Sequence, residues 1–135
     1  MSGIFTMKLE KMQPSQLFIS SAKLARVMRD FEPLRPDSLA PIPVKELCGK
    51  IIMTDGHTRA LAALLNGLSE VRVFWDEDEL DWEEYEICVQ WCEEERIHTM
   101  ADLKDRIVPP EDYQRLWLDR CEEMQEALEA RRGRS

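Results

Sequence analysis

An α/β domain of the α+β kind, a mixed sheet with packed helices and a helical C-terminal extension, is what this sequence predicts, and three observations carry that reading. From Met7 to Trp75, runs of alternating apolar residues exchange with runs of helical period in the order β-α-β-β-α-β. Pro33, Pro36, Pro41 and Pro43 interrupt the chain between two of these elements, which rules out a continuous helix and suggests an ordered loop rather than a domain linker. Beyond Trp75 the apolar spacing is helical throughout. With 135 residues the chain fits one domain, long enough for a core without disulfides or metal. Residues 1–76 form the expected core, and residues 77–135 a helical extension packed on it.

Each element has a local reason. Met7 to Met12 alternates apolar with polar residues and reads as a half-buried strand ended by Pro14-Ser15. Ser20 or Ser21 can cap a helix to about Phe31, with Leu24, Val27, Met28 and Phe31 on one face. Ile42 to Glu46 and Ile51 to Thr54 read as strands of a hairpin turned by Cys48-Gly49-Lys50. Leu61, Leu64, Leu65 and Leu68 recur at helical spacing behind the Asp55-Gly56 turn, and the helix from His57 to Asn66 closes at Gly67, a residue suited to a left-handed cap. Glu70 to Trp75 is a further strand, with Val71, Val73 and Trp75 alternating.

In the extension, Asp81 to Arg96 sets Trp82, Tyr85, Val89 and Cys92 on one helical face. Thr99 and Asp102 have capping-box spacing for a short helix reaching Ile107. Pro109-Pro110 starts a long helix striped by Tyr113, Leu116, Trp117, Cys121, Met124 and Leu128, a stripe that suits packing on its own domain or pairing with a second copy. Arg131 onward reads as a frayed tail. Trp82, Trp91 and Trp117 fall on apolar stripes and are expected to pack, as are Cys88 and Cys92, whose spacing of four has no histidine to complete a metal set.

The net charge of −9 argues against general affinity for nucleic acid. It is concentrated: eleven acidic residues and no basic one lie between Asp76 and Glu95, and the rest of the chain is nearly balanced. Such a run reads as a solvated helix face, with a divalent metal or a basic protein partner as the functional alternatives. No apolar segment approaches the length of a membrane span or a signal peptide, and the four cysteines form no Cys-x-x-Cys pair, so a cytoplasmic protein with reduced thiols is expected.

The densest chemistry lies in Ile51-Ile52-Met53-Thr54-Asp55-Gly56-His57-Thr58-Arg59-Ala60, a strand, a tight turn and a helix start in ten residues. A helix N-terminus presents amide donors and a positive dipole end, and Gly56 lets a ligand approach the backbone. His57, Thr58 and Arg59 add donors and charge to the first turn. Arg59 opposes the dipole there, a penalty an anion would remove. Asp55 is a natural N-cap that can also act as metal ligand or base, and His57 can donate to phosphate or serve as general base.

Together, the Lys8-Leu9-Glu10 strand with a helix behind it, Pro41-Ile42-Pro43-Val44, and the hairpin into Asp55-Gly56-His57-Thr58-Arg59-Ala60 resemble the N-terminal domain of the ParB partition proteins and their relatives, the sulfiredoxins. The resemblance covers about Met7 to Trp75. It implies a nucleotide (ATP, ADP or CTP), with magnesium as an accompanying ion, and phosphate contacts at Gly56, His57, Thr58 and Arg59. Asp55 and His57 are then the catalytic candidates. Sulfiredoxins have a cysteine where this chain has His57, which argues against sulfinic acid reduction. Free-serine kinases with an Asp-Gly-His-x-Arg turn are similar at Asp55, Gly56, His57 and Arg59, but they carry a catalytic glutamate in the first crossover, where this chain reads Phe18-Ile19-Ser20-Ser21. Partition proteins continue into a helix-turn-helix, for which no basic recognition helix is present, so DNA is not expected as a partner. A nucleotide-binding module is the first expectation; a kinase of the free-serine type and a non-catalytic interaction or dimerisation module are the alternatives.

Overall fold

Four strands make the sheet that positions the site. The computed structural model describes residues 3–133. Strands β1 (Phe5–Lys8), β3 (Ile42–Leu47), β4 (Lys50–Met53) and β5 (Glu70–Trp75) lie in the order β1-β5-β3-β4, and β2 (Ile19–Ser20) stands apart. β5 pairs antiparallel with β1 and parallel with β3, and β3 pairs antiparallel with β4, so the sheet is mixed and the fold α+β. The register sets Ile42 opposite Val73 and Phe5 opposite Val73, so Ile42, Val44, Val71 and Val73 share the face that is buried. Cys48 and Gly49, at φ 53° and 77°, form the two-residue hairpin turn whose left-handed residues match strand twist.

β1 is shorter and earlier than the alternation from Met7 to Met12 suggests. The ladder ends as the Leu9 N–H donates to Ser69 O, and the chain then makes a 3₁₀ turn over Leu9–Lys11. Leu9 and Met12 are three apart, and a single 3₁₀ turn buries both where a strand would put them on opposite faces. Gln13 then lies along the outer edge of β4, donating its N–H to Ile51 O and accepting from the Met53 N–H, which closes that edge.

Helix α1 (Ser21–Asp30) begins at Ser20, whose Oγ accepts the Lys23 N–H. Helix α2 (His57–Leu65) runs with Ala60, Leu61, Ala62 and Ala63 buried, and Gly67 at φ 84° turns the chain into β5. The proline-rich loop is ordered: Arg72 of β5 donates to Leu39 O, and Ser38 Oγ accepts the Glu32 N–H.

The extension is built into the same core. Helix α3 (Trp82–Glu94) starts at Asp81, whose carboxylate accepts the Glu84 N–H. The Thr99/Asp102 capping box is present, on a 3₁₀ turn over Met100–Leu103 rather than on a helix reaching Ile107. Ile107–Val108 instead forms β6, paired in parallel with β2, which brings the Arg106–Val108 backbone beside Ile19. Pro110 opens α4 (Pro110–Tyr113), a π-helical turn follows over Gln114–Leu118, and α5 (Asp119–Arg131) completes the segment. Tyr113, Trp117 and Leu128 are buried in the chain's own core, Trp117 edge-on to Trp91 at 6.1 Å. Cys88 and Cys92 are buried as expected.

The expected tail is otherwise. Arg131 and Arg132 at the end of α5 pair with Glu83, and Arg132 pairs with Asp81 at 2.8 Å, because α3 and α5 run in opposite directions and bring unlike charges together. Residues 134 and 135 of that expectation lie outside the described residues. The acidic run is likewise tied to the molecule by Lys50–Glu93 and Arg106–Glu95 pairs. Among the described residues no helix is long and apolar enough to cross a membrane.

Candidate functional site

The Asp55–Arg59 turn sits where β4 leaves the sheet and α2 begins. Gly56, at φ 79°, is the observed N-cap residue, and no side chain caps the helix. Asp55 therefore does not cap α2. Left-handed Gly56 takes the capping position, which puts the Asp55 carboxylate one residue too early, exposed at the rim. Ala60 N–H makes the first helical bond, to Gly56 O, so the amides of His57 and Thr58 precede the helical ladder. Arg59 folds back over the turn: a Cβ placed on Gly56 would lie 2.7 Å from Arg59 Nη2. Glycine is favoured there by its left-handed φ, and a side chain would also displace the guanidinium above it.

These residues line a cleft of about 370 Å³, whose opposite wall is α1, contributing Lys23 and Arg26. Tyr113 and Gln16 close one end, with Gln16 Nε2 donating to the Tyr113 hydroxyl at 3.1 Å. Lys23 Nζ lies 5.1 Å from the centre of the Tyr113 ring. Lys23, Arg26 and Arg59 make no ion pair among the described residues, and Asp55 is the one carboxylate of the cleft. In a chain of net charge −9 this is a local concentration of positive charge.

His57 differs from its neighbours because its ring is buried, 4% exposed. The Ser15 N–H donates to its Nε2 at 2.9 Å, and burial pushes its pKa down to about 4, with the Asp55 charge opposing. The ring is thus neutral near pH 7 and carries its proton on Nδ1, which has no partner among the described residues. His57 can offer a hydrogen bond but no charge, and its basic nitrogen is already engaged.

The acidic residues after β5 do not turn toward the cleft. Asp76 is buried, with Oδ2 accepting the Thr54 hydroxyl at 2.6 Å and Oδ1 the Asp78 N–H at 3.0 Å, and it anchors the chain leaving β5 to the end of β4. Tyr85 donates its hydroxyl to Thr54 O from α3, which fixes the same corner. Among the described residues no three His, Cys, Asp or Glu side chains form a group that could hold a metal ion.

The structure therefore brings Gly56, Thr58, Arg59, Asp55 and His57 to one cleft. Lys23, Arg26, Gln16 and Tyr113 join them without having been singled out from the sequence. Lys23 and Arg26 are three apart, a spacing that places two cations on one face of α1, but that face is indistinguishable from an ordinary solvated one until the fold sets it opposite Gly56.

Compared with known proteins, the chain matches no family model and no curated protein sequence. A structural likeness is found to a crystal structure of protein Atu1540 from Agrobacterium tumefaciens, at 14% identity and a TM-score of 0.48, over 73% of this chain and 51% of that one. This chain spans about half the length of that protein.

Proposed function

We propose that the chain is a nucleotide-binding module of the ParB/sulfiredoxin type that holds nucleotide phosphates between the Gly56–Arg59 helix start and the basic face of α1. One observation carries the reading. Lys23, Arg26 and Arg59 converge, without ion-pair partners among the described residues, on an uncapped helix N-terminus. Amide donors at His57 and Thr58 suit phosphate oxygens, and the arginine guanidinium suits a bidentate contact. A cleft of about 370 Å³ is within the range of small-molecule sites.

The chemistry of the donor set also fits magnesium carried in by a nucleotide. That ion keeps several waters and needs only one or two carboxylates beside the phosphates, and Asp55 at the rim would be the protein's contribution. Asp55 is also the available acid for orienting an attacking group, whereas His57 supplies a neutral donor. This balance favours binding over a defined phosphoryl transfer.

The reading is tested by thermal denaturation with ATP, ADP, CTP and GTP, each with and without magnesium, on the wild type, Arg59→Ala and the Lys23→Ala/Arg26→Ala pair. A nucleotide at one hundred times its dissociation constant stabilises by about 2.7 kcal/mol. Stabilisation of the wild type by at least one nucleotide, lost in both variants, is the expected result. Absence of any shift, or a shift that survives Arg59→Ala, overturns the assignment.

A further inference from the structure

A second pocket of about 190 Å³ adjoins the basic cleft and shares Gln16 and His57 with it, but its chemistry is opposite. It opens between α3 and α5, and among the described residues Glu84 is the only charged side chain that lines it. Glu84 Oε1 accepts a hydrogen bond from Gln125 at 2.8 Å and has no ion-pair partner within reach among the described residues. Burial and the neighbouring Asp81 push its carboxyl up, against the opposing pull of the Gln125 hydrogen bond and the more distant Arg132 charge. The wall beside Glu84 carries the rings of Trp117 and Tyr85, the thioether of Met124 and the thiols of Cys88 and Cys121, and the two rings suit an organic cation.

We propose that this pocket binds a small organic amine, with its ammonium on Glu84 and its apolar body against Trp117 and Met124. A cavity of roughly 150 Å³ holds benzene, so the space suits one ring or its branched equivalent with a short polar arm. The cations of the phosphate reading, Lys23, Arg26 and Arg59, do not line it, so the two sites are told apart by their charges although they share Gln16 and His57.

The probe is 2-amino-1-phenylethanol, followed by ¹⁵N-resolved NMR of the full chain, with 1-phenylethane-1,2-diol as the matched neutral compound. Saturable shifts that include the Trp117 indole N–H are expected with the amine, and binding about tenfold weaker or worse with the diol, a difference of about 1.4 kcal/mol. Glu84→Gln, which keeps the hydrogen bond to Gln125 available, should bring the amine down to the affinity of the diol. Arg59→Ala should leave amine binding unchanged, so loss of the phosphate site and loss of this one are told apart. No saturable shift with the wild type, equal binding of amine and diol, or an unaltered affinity in Glu84→Gln overturns the proposal. The comparison of the two compounds on the wild type stands even if the variant does not fold.

Discussion

Replacing His57 with glutamine should remove a large part of the acid sensitivity of this fold. In the folded chain the imidazole is buried, accepts the Ser15 N–H and titrates at about 4, against 6.5 for an unperturbed histidine. Between those values the unfolded chain binds a proton that the folded chain does not, so stability rises with pH across that window. The contribution is fully present above pH 6.5 and is lost as the pH falls toward 4. At about 1.4 kcal/mol per pH unit, the loss from this one group approaches 3 kcal/mol, a sizeable share of the 5–15 kcal/mol typical of a domain. Glutamine offers an oxygen to the Ser15 amide and has no proton to gain. Urea denaturation of the wild type and His57→Gln at intervals from pH 8 to pH 4.5 gives the difference directly, because every other group is common to both chains. The curves should converge as the pH falls, by roughly 2–3 kcal/mol. Curves that stay parallel would refute the buried, neutral state of His57 on which its role as a donor depends.

Two further outcomes follow from the same corner of the fold. Gly56→Ala places a Cβ against the Arg59 guanidinium at a left-handed φ, so it should cost about 1–2 kcal/mol of stability in urea denaturation and also remove nucleotide stabilisation, while Arg59→Ala should remove the stabilisation at little structural cost. Thr54→Val deprives the buried Asp76 of its 2.6 Å hydrogen bond and should cost about 1–3 kcal/mol, measured as a lowered urea midpoint at constant m-value.

Much of the architecture was legible because local signals agree with tertiary demand. Cys48-Gly49 turns the hairpin, Glu70–Trp75 is the strand its alternation describes, and Ser20 and Asp81 cap the helices they precede. The turn from Asp55 to Arg59 was legible as a strand end, a glycine turn and a helix start, because Asp-Gly after an apolar run and leucines at helical spacing give the same answer. Asp55 as a cap was not, since an acid before a helix is the same signal whether the cap position falls on it or on the following glycine. Other features depend on partners remote in the chain. Arg131 and Arg132 look like a polar end until α3 lies beside them, and Ile107-Val108 is too short a run to announce a strand. The π turn at Gln114–Leu118 carries no composition signal at all, yet it follows Tyr113 at the first cleft and contains Trp117 at the second.

The pairing of β2 with β6 bears on how the molecule is made. Ile19 meets Ile107 across almost ninety residues, and long-range parallel pairs form slowly because the intervening chain must be closed first. A ribosome releasing this chain delivers Lys23, Arg26 and Arg59 well before Tyr113, so the basic walls precede the residue that closes the end of the cleft. The cleft is therefore completed late in synthesis, once α4 has emerged, and a nascent chain ending before Pro109 would carry the charges of the cleft without Tyr113 beside them.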